Sequence, residues 1–470
     1  MTLSLEPGGG GLSLGLPVAG RASAAATACL RELDGRDVAL FRLDGGKHRG
    51  AIGPAEGVAI ERLVTLAIEL GVPIVGVLAT SGADIHEGVA SLHAWGRVAR
   101  QVSRASGVVP IVFAVVGPCT SGPALMLGLA DHVVMTPDSF AYVSGPEAVA
   151  EFTGIAVDRA RLGGGPIHDT RTGVASLVAA DEEDALLAVA DLLSYLPANH
   201  VNDPPLVPLA ADDPLDRACG RAASVVPDTA RASYDVRTVL ADVLDAGSLL
   251  EVRARYASNL VTAYGRLGGR PVGIVANQPH VRAGTLDIEA SRKAARFVQH
   301  CDAFNLPILT FVDTPGFEPG KDLEWRGMIR HGAELVHAYA AATVPRICLV
   351  LRKAYGGAYI VMDSRNLGND ACFAWPGAEI AVMGSKGAVQ ILFGKKLAEI
   401  ENAEVREKER AALEADYDAR FCSPIEAAER GLVDEVIDPR DTRWVLGTAL
   451  AVHASKRETA VARKHSISPC

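Results

Sequence analysis

Four short stretches of this 470-residue chain occur twice, in the same order. Val72-Pro73-Ile74-Val75, running on to Ser81-Gly82, has a counterpart in Leu306-Pro307-Ile308-Leu309, running on to Pro315-Gly316. Ser121-Gly122-Pro123 is matched by Gly356-Gly357-Ala358. Phe140-Ala141-Tyr142-Val143 with Ala148-Val149 resembles Ile380-Ala381-Val382-Met383 with Ala388-Val389, and Gly173 to Val178 matches Gly431 to Val436. Similarity at one pair arises readily by chance; a shared order over four does not. The repeat predicts two homologous domains. Within each, short apolar strands alternate with helices, which predicts crossover connections and a mostly parallel sheet. Helices are expected at about Ala55 to Leu70 and Gly88 to Ser106, and strands at Val72 to Leu78 and Val108 to Val116. A cluster of Pro204-Pro205, Pro208 and Pro214 among aspartates marks the boundary. The expected division is an arm over 1–33, a first domain over 34–215 and a second over 216–470. The charged stretch Lys395 to Ala419, inserted into the second half, reads as a solvated helix or, alternatively, as an oligomer contact.

The junction Arg352-Lys353-Ala354-Tyr355-Gly356-Gly357-Ala358 follows the apolar run Ile347 to Leu351 and precedes a helical segment. Glycines at a strand-to-helix junction let backbone approach a ligand closely. Amides at a helix start lack an intrahelical partner, and such donors suit an oxygen that gains negative charge. A tight turn with glycine for packing explains the same letters. Arg352 and Lys353 read either as phosphate contacts or as solvated charges beside a strand. Asp131-His132 reads as a surface pair.

Composition limits the alternatives. A net charge of −10 argues against a nucleic-acid surface. Eight cysteines without a CxxC pair argue against a zinc ribbon or disulfide framework, and point to reduced thiols in a cytoplasmic enzyme. No metal is expected. The start of the chain carries no basic residue before its apolar part, so it reads as a loose arm around Gly8 to Gly11. Ala105 to Ala130 is uncharged, but Pro110, Pro118 and Pro123 break it, so no membrane span is expected.

Further motifs give the chain a family likeness. Gly269-Arg270-Pro271-Val272-Gly273-Ile274-Val275-Ala276-Asn277-Gln278-Pro279, Gly284-Thr285-Leu286-Asp287-Ile288, Val312-Asp313-Thr314-Pro315-Gly316-Phe317 and the Gly356-Gly357 junction lie in one half. This half resembles the carboxyltransferase β-subunits of biotin-dependent acyl-CoA carboxylases. The first half matches more loosely, through His86-Glu87-Gly88, Gly117-Pro118-Cys119 and Ser144-Gly145-Pro146-Glu147. The resemblance implies an α/β fold of two tandem crotonase-like domains, each a ββα superhelix. It implies a homohexamer, a dimer of trimers, acting with a biotin carboxyl carrier and biotin carboxylase. The first domain would hold acyl-CoA; the second would hold biotin carried on a separate subunit.

By family position, the Ser121 and Gly122 amides would stabilise a thioester enolate, and those of Gly357 and Ala358 the biotin oxyanion. Acyl-CoA would lie against Gly50, Ala51, Gly356 and Ile360, and biotin against Asn277, Gln278, Pro279 and Tyr359. Two departures sit on the acyl-CoA side: Ser121 stands where the family has glycine, and Asp84 where it tends to have arginine. A decarboxylase or transcarboxylase subunit, or a catalytically silent partner, are the alternatives. Ser121 as a peptidase-type nucleophile lacks a histidine in Phe140 to Val149.

Overall fold

The computed structural model describes residues 25–227, 229, 232–458 and 462–469. The expected loose arm at Gly8 to Gly11 lies outside them, as does Cys470. The chain divides into two compact units. One runs to Pro205 and takes in Val252–Tyr256 and Ala303–Asn305; the other holds Leu206–Glu251, Ala257–Asp302 and Leu306–Cys470.

The first unit opens on the hairpin β1 (Ala26–Leu33) and β2 (Arg36–Leu43), so the arm expected to reach residue 33 is strand from Ala26 onward. Its two-residue turn, Asp34-Gly35, has φ of 48° and 75°. Two left-handed residues give a turn whose twist matches the strands it joins. The chain then runs α1 (Pro54–Leu70), β3 (Ile74–Thr80), α2 (Val89–Ala105) and β4 (Ile111–Thr120). A 3-10 turn, Gly122–Gly128, leads to β5 (His132–Met135), β6 (Phe140–Tyr142), α3 (Pro146–Thr153), β7 (Leu177–Val178) and α4 (Glu182–Tyr195). The sheet order is β1-β2-β3-β4-β5-β7, with β6 extending the pairing of β4. All pairs after the hairpin are parallel. The uncharged stretch Ala105 to Ala130 is therefore β4 and the 3-10 turn; no described helix is long and apolar enough to cross a membrane.

The second unit repeats this order after α5 (Val236–Val243) and β8 (Leu250–Val252). Strands β9 (Leu260–Leu267) and β10 (Arg270–Asn277) form the hairpin, now turning on Gly268-Gly269 at φ 65° and 75°. Then come α6 (Ile288–Ala303), β11 (Ile308–Thr314), α7 (Met328–Ala341), β12 (Arg346–Tyr355) and α8 (Gly356–Val361). Next are β13 (Ala371–Ala374), β14 (Glu379–Ala381), α9 (Ser385–Ala398) and α10 (Ala403–Tyr417), then β15 (Glu435–Val436) and α11 (Thr442–His453). The order is β15-β13-β12-β11-β10-β9-β8, with β14 on β12. All four repeated sequence pairs fall on equivalent elements. The charged insertion is not one helix: it breaks between Ala398 and Ala403, where the Asn402 side chain accepts from Glu404 N and Val405 N and starts a new one.

Each unit has its own apolar core. Phe41 and Phe113 meet edge to face in the first, above Ile60 and Leu63. Val261, Ile274, Phe311 and Leu349 centre the second. The units part between Pro205 and Leu206, ten residues before the expected 215/216. Val207 N–H donates to Gly269 O at 3.0 Å, which ties this segment to the second unit. Asp213 and Pro214 bind Arg443 of α11, whose side chain is fully buried. Its guanidinium reaches Asp245 at 2.8 Å and Asp213 at 3.3 Å, and donates to Val243 O at 2.9 Å.

Both units carry one further shared device. After each hairpin, three consecutive residues are left-handed: His48, Arg49 and Gly50 in one, Arg282, Ala283 and Gly284 in the other. A Cβ on Gly50 would sit 1.9 Å from Ala79 O, and one on Gly284 2.4 Å from Asp313 O. Only glycine closes these corners, because the chain is pressed against the end of the next strand.

Candidate functional site

The site builds on what happens where the central strands end. In the first unit β4 stops at Thr120, and Ser121 turns the chain into the 3-10 turn with φ 65° and ψ −150°. In the second, β12 stops at Tyr355 and Gly356 makes the turn with φ 59°. Ser121 and Gly356 are thus structural equivalents. So are Gly122 and Gly357, and Pro123 and Ala358.

That register changes the donor assignment. Ser121 N–H donates to Tyr142 O at 2.9 Å, so it is not available to a ligand. Pro123 has no N–H. Of the expected pair Ser121 and Gly122, only the Gly122 amide lies open at the start of the turn, where no intrahelical acceptor exists. A second donor comes from a loop that the sequence did not reveal. Ile52 N–H donates to Gly82 O and Asp84 N–H to Ile52 O. This bridge leaves the intervening Ala83 N–H on the opposite side, without a partner among the described residues. The Gly82-Ala83 turn packs on β4: a Cβ on Gly82 would lie 2.9 Å from Ser121 Cβ and 3.0 Å from Thr120 O. The Ala83 and Gly122 amides therefore belong to adjoining turns at the end of β4.

The second unit repeats the construction. Leu286 N–H donates to Gly316 O and Glu318 N–H to Leu286 O, leaving Phe317 N–H turned away. Phe317 packs on Gly357, 3.7 Å from where a Cβ would stand. Gly357 is exposed, while the Ala358 and Tyr359 side chains are buried. The signal that finds Ala83 and Phe317 is the repeat itself, since each follows a matched glycine at a matched strand end. Backbone donors carry no residue type of their own.

Several expected contacts are structural instead. Asn277 is fully buried; it donates to Gly284 O at 3.1 Å and accepts from Asp313 N at 3.2 Å, pinning the left-handed corner to β11. Gln278 is also fully buried and donates to Asp235 at 2.6 Å, while its carbonyl accepts from Val236 N and His280 N. Pro279 is buried beside it. These residues hold the loop after β10. Tyr359 points into the core toward Cys372, and burial raises its phenol well above the usual range. Gly50 N–H and Ala51 N–H close their own corner, donating to Lys47 O and His48 O. Gly356 is half-buried, and Ile360 remains exposed on α8. Asp84, the expected anion on the acyl-CoA side, accepts from His86 N at 3.0 Å and starts a short 3-10 turn.

The cations Arg352 and Lys353 are neither solvated nor open to a phosphate. Both are buried beside Asp313, at 3.0 Å and 3.9 Å. Burial pushes the Asp313 carboxyl up, opposed by these two charges, and pushes the Lys353 amine down. The trio stiffens β11 against β12 below the amide rim. Nor is His132 a surface residue: it is buried in β5, with Nδ1 3.0 Å from Ser176 Oγ. Cys29, Cys119, Cys219, Cys301, Cys348, Cys372 and Cys422 are free and buried. Among the described residues no cluster of metal-ligating side chains occurs. Paired amides can hold an oxyanion without a side-chain acid or base. One lost donor in comparable sites costs about 3 kcal/mol of transition-state stabilisation.

The chain is similar to known proteins. A family profile described as a carboxyl transferase domain matches residues 27–467. A propionyl-CoA carboxylase carboxyltransferase subunit from Haloferax mediterranei is 46% identical over 439 residues, covering 93% of this chain and 84% of the relative. A methylmalonyl-CoA decarboxylase subunit alpha from Veillonella parvula is 42% identical over 438 residues, covering 93% and 84%. The crystal structure of transcarboxylase 12S, described as a hexamer assembly with hydrolysed methylmalonyl-coenzyme A bound, superposes with a TM-score of 0.91 at 40% identity, covering 95% of this chain and 85% of that one.

Proposed function

The chain belongs to the carboxyl transferase family, and from that premise we propose that it is the carboxyltransferase subunit of a biotin-dependent acyl-CoA carboxylase of the propionyl-CoA type. The observation that carries this reading is the doubled site: two amide pairs, Ala83 with Gly122 and Phe317 with Gly357, built alike at equivalent strand ends. Carboxyl transfer to a thioester needs two such places, because two oxygens gain charge: the enolate oxygen of the acyl-CoA and the ureido oxygen of biotin.

Biotin, carried on a separate subunit, supplies the activated carboxyl group and, once this has left, a ureido nitrogen for the α-proton. Everything else falls to this chain. The Gly122 and Ala83 amides receive the thioester oxygen and polarise it, which makes the α-proton more acidic. The Gly357 and Phe317 amides, with Ala358 behind them, hold the ureido oxygen. The absence of a side chain on exposed Gly357 leaves room for the bicyclic ring, so the residues present fit the group. Ile360, exposed one turn along α8, suits the apolar end of a short acyl chain. The two kinds of site would be completed in a homohexamer built from two stacked trimers.

The test supplies the purified chain with a biotin carboxyl carrier, biotin carboxylase, ATP, labelled bicarbonate and a set of acyl-CoAs. Label appearing in propionyl-CoA as methylmalonyl-CoA supports the reading. If no thioester acquires label, and methylmalonyl-CoA yields none to the carrier in reverse, the reading fails. Transfer in the reverse direction alone would mark a decarboxylase or transcarboxylase subunit, as in the Veillonella relative's name.

A further inference from the structure

We infer that the Trp95 indole N–H is a third donor at the first-unit amide pair and binds the thioester carbonyl oxygen beside Gly122; this rests on the acyl-CoA reading above.

Trp95 lies on α2, which packs against the 3-10 turn Gly122–Gly128 that follows β4. Its ring is packed against Gly122: a Cβ there would meet indole Cε2 and Cζ2 at 2.7 Å and Nε1 at 3.0 Å. Gly122 is therefore glycine because the indole occupies its side-chain space. The indole nitrogen is buried yet has no hydrogen-bond partner among the described residues. A buried N–H left unpaired costs roughly 1–3 kcal/mol, and tryptophan normally pairs it. Ser91, one helical turn earlier and on the same side of α2, repeats the anomaly: it is fully buried and its Oγ is also unpaired. The buried indole of Trp375, by contrast, donates to Thr442 Oγ1 at 3.0 Å. An unpaired donor pressed against an open amide is the arrangement expected of a group whose acceptor arrives with the substrate.

The second unit lacks this donor. Phe317 stands against Gly357 instead, with an apolar ring that donates nothing. The two amide pairs are thus chemically unequal, with the additional N–H on the thioester side only.

The experiment compares wild type with Trp95→Phe, which keeps a ring over Gly122 and removes the N–H. A second variant carries β-(benzothienyl)alanine at position 95 alone, isosteric with tryptophan but with sulfur for N–H, in case the phenyl ring repacks. Two ligands are titrated into the full-length protein: propionyl-CoA, and S-propyl-CoA, a thioether without the carbonyl. Both variants should bind propionyl-CoA about threefold to tenfold more weakly than wild type, the range of one net hydrogen bond, and S-propyl-CoA as wild type does. In the coupled assay kcat should fall by at least about tenfold, as when one oxyanion donor is lost. Equal propionyl-CoA affinity in wild type and the benzothienyl variant overturns the inference, as does an equal loss for both ligands, which would mean packing alone. If wild type transfers no carboxyl group at all, the functional reading fails, and the paired titration still decides on Trp95.

Discussion

Replacing Ser121 by glycine should make the protein more stable. Ser121 sits at φ 65°, ψ −150°, a region reserved in practice for glycine, where other residues cost on the order of 1–3 kcal/mol. Nothing local repays this, because the hydroxyl makes no capping bond to the turn that follows. The equivalent position in the second unit is Gly356 at φ 59°, which adopts the turn without penalty. Glycine widens the unfolded ensemble and gives back roughly 0.5–1 kcal/mol. The net gain is therefore about 0.5–2 kcal/mol, and each kcal/mol raises the melting temperature of a 150–250-residue domain by roughly 2–4 °C. Thermal and urea unfolding of wild type, Ser121→Gly and Ser121→Ala, at one protein concentration, provides the measurement. Alanine keeps the Cβ and its clash, so it should melt within about 0.5 kcal/mol of wild type, like an ordinary surface change. A glycine variant no more stable than the alanine variant would refute the strain assignment. Backbone settling elsewhere would then be absorbing the turn.

Gly357→Pro removes one amide where the extra atoms have room, with the nearest neighbour of a Cβ at 3.7 Å. Turnover in the coupled assay should fall by about 10²–10³, with the melting curve little changed. Asn277→Ala and Gln278→Ala should destabilise by about 1–3 kcal/mol, the cost of stranding buried partners. Their Michaelis constant for the biotin carrier should hold steady, which saturation kinetics checks. Asp363, buried against Arg346, is pushed up to about 7 by burial, above the roughly 3.9 of an unfolded aspartate. Its contribution is therefore full below the unfolded value and is lost as pH rises through about 7. Urea titrations from pH 4 to 8 should show wild type losing stability relative to Asp363→Asn on going up. A difference that stays constant across that range would sink this.

How much of this was readable in the letters follows from what each feature is made of. The paired units were legible because strand ends need glycine and apolar runs in fixed order, and four such runs survive in both halves. The hairpin at Asp34-Gly35 declares itself by its turn residues. The Gly122 and Gly357 junctions were visible for the same reason. Ala83 and Phe317 were not, since an amide donor leaves no mark on residue identity. Asn277 and Gln278 misled because a motif gives position along the chain and not burial; in the fold their amides tie β10 to its surroundings. Arg352 and Lys353 misled similarly, because a charge beside a strand looks solvated until Asp313 is placed next to it. The break at Asn402 passed unseen inside a run of charge that suits helix throughout. Trp95 could not be singled out from sequence, because its meaning depends on a glycine 27 positions away.

The buried Arg443 sets a rule for anyone who would cut this chain in two. Its charge is housed by Asp213, Asp245 and the carbonyls of Pro214 and Val243. A fragment of the second unit made to start at Asp216 would leave out Asp213 and Pro214. It would carry a cation into its interior with part of its housing gone, a loss that costs about 3–5 kcal/mol when a buried pair is broken. One that starts at Leu206 keeps the housing and the Val207 tie to Gly269. The ten residues that look like a linker are thus the footing on which the last helix stands, and a split-protein version of this enzyme should be joined at Pro205.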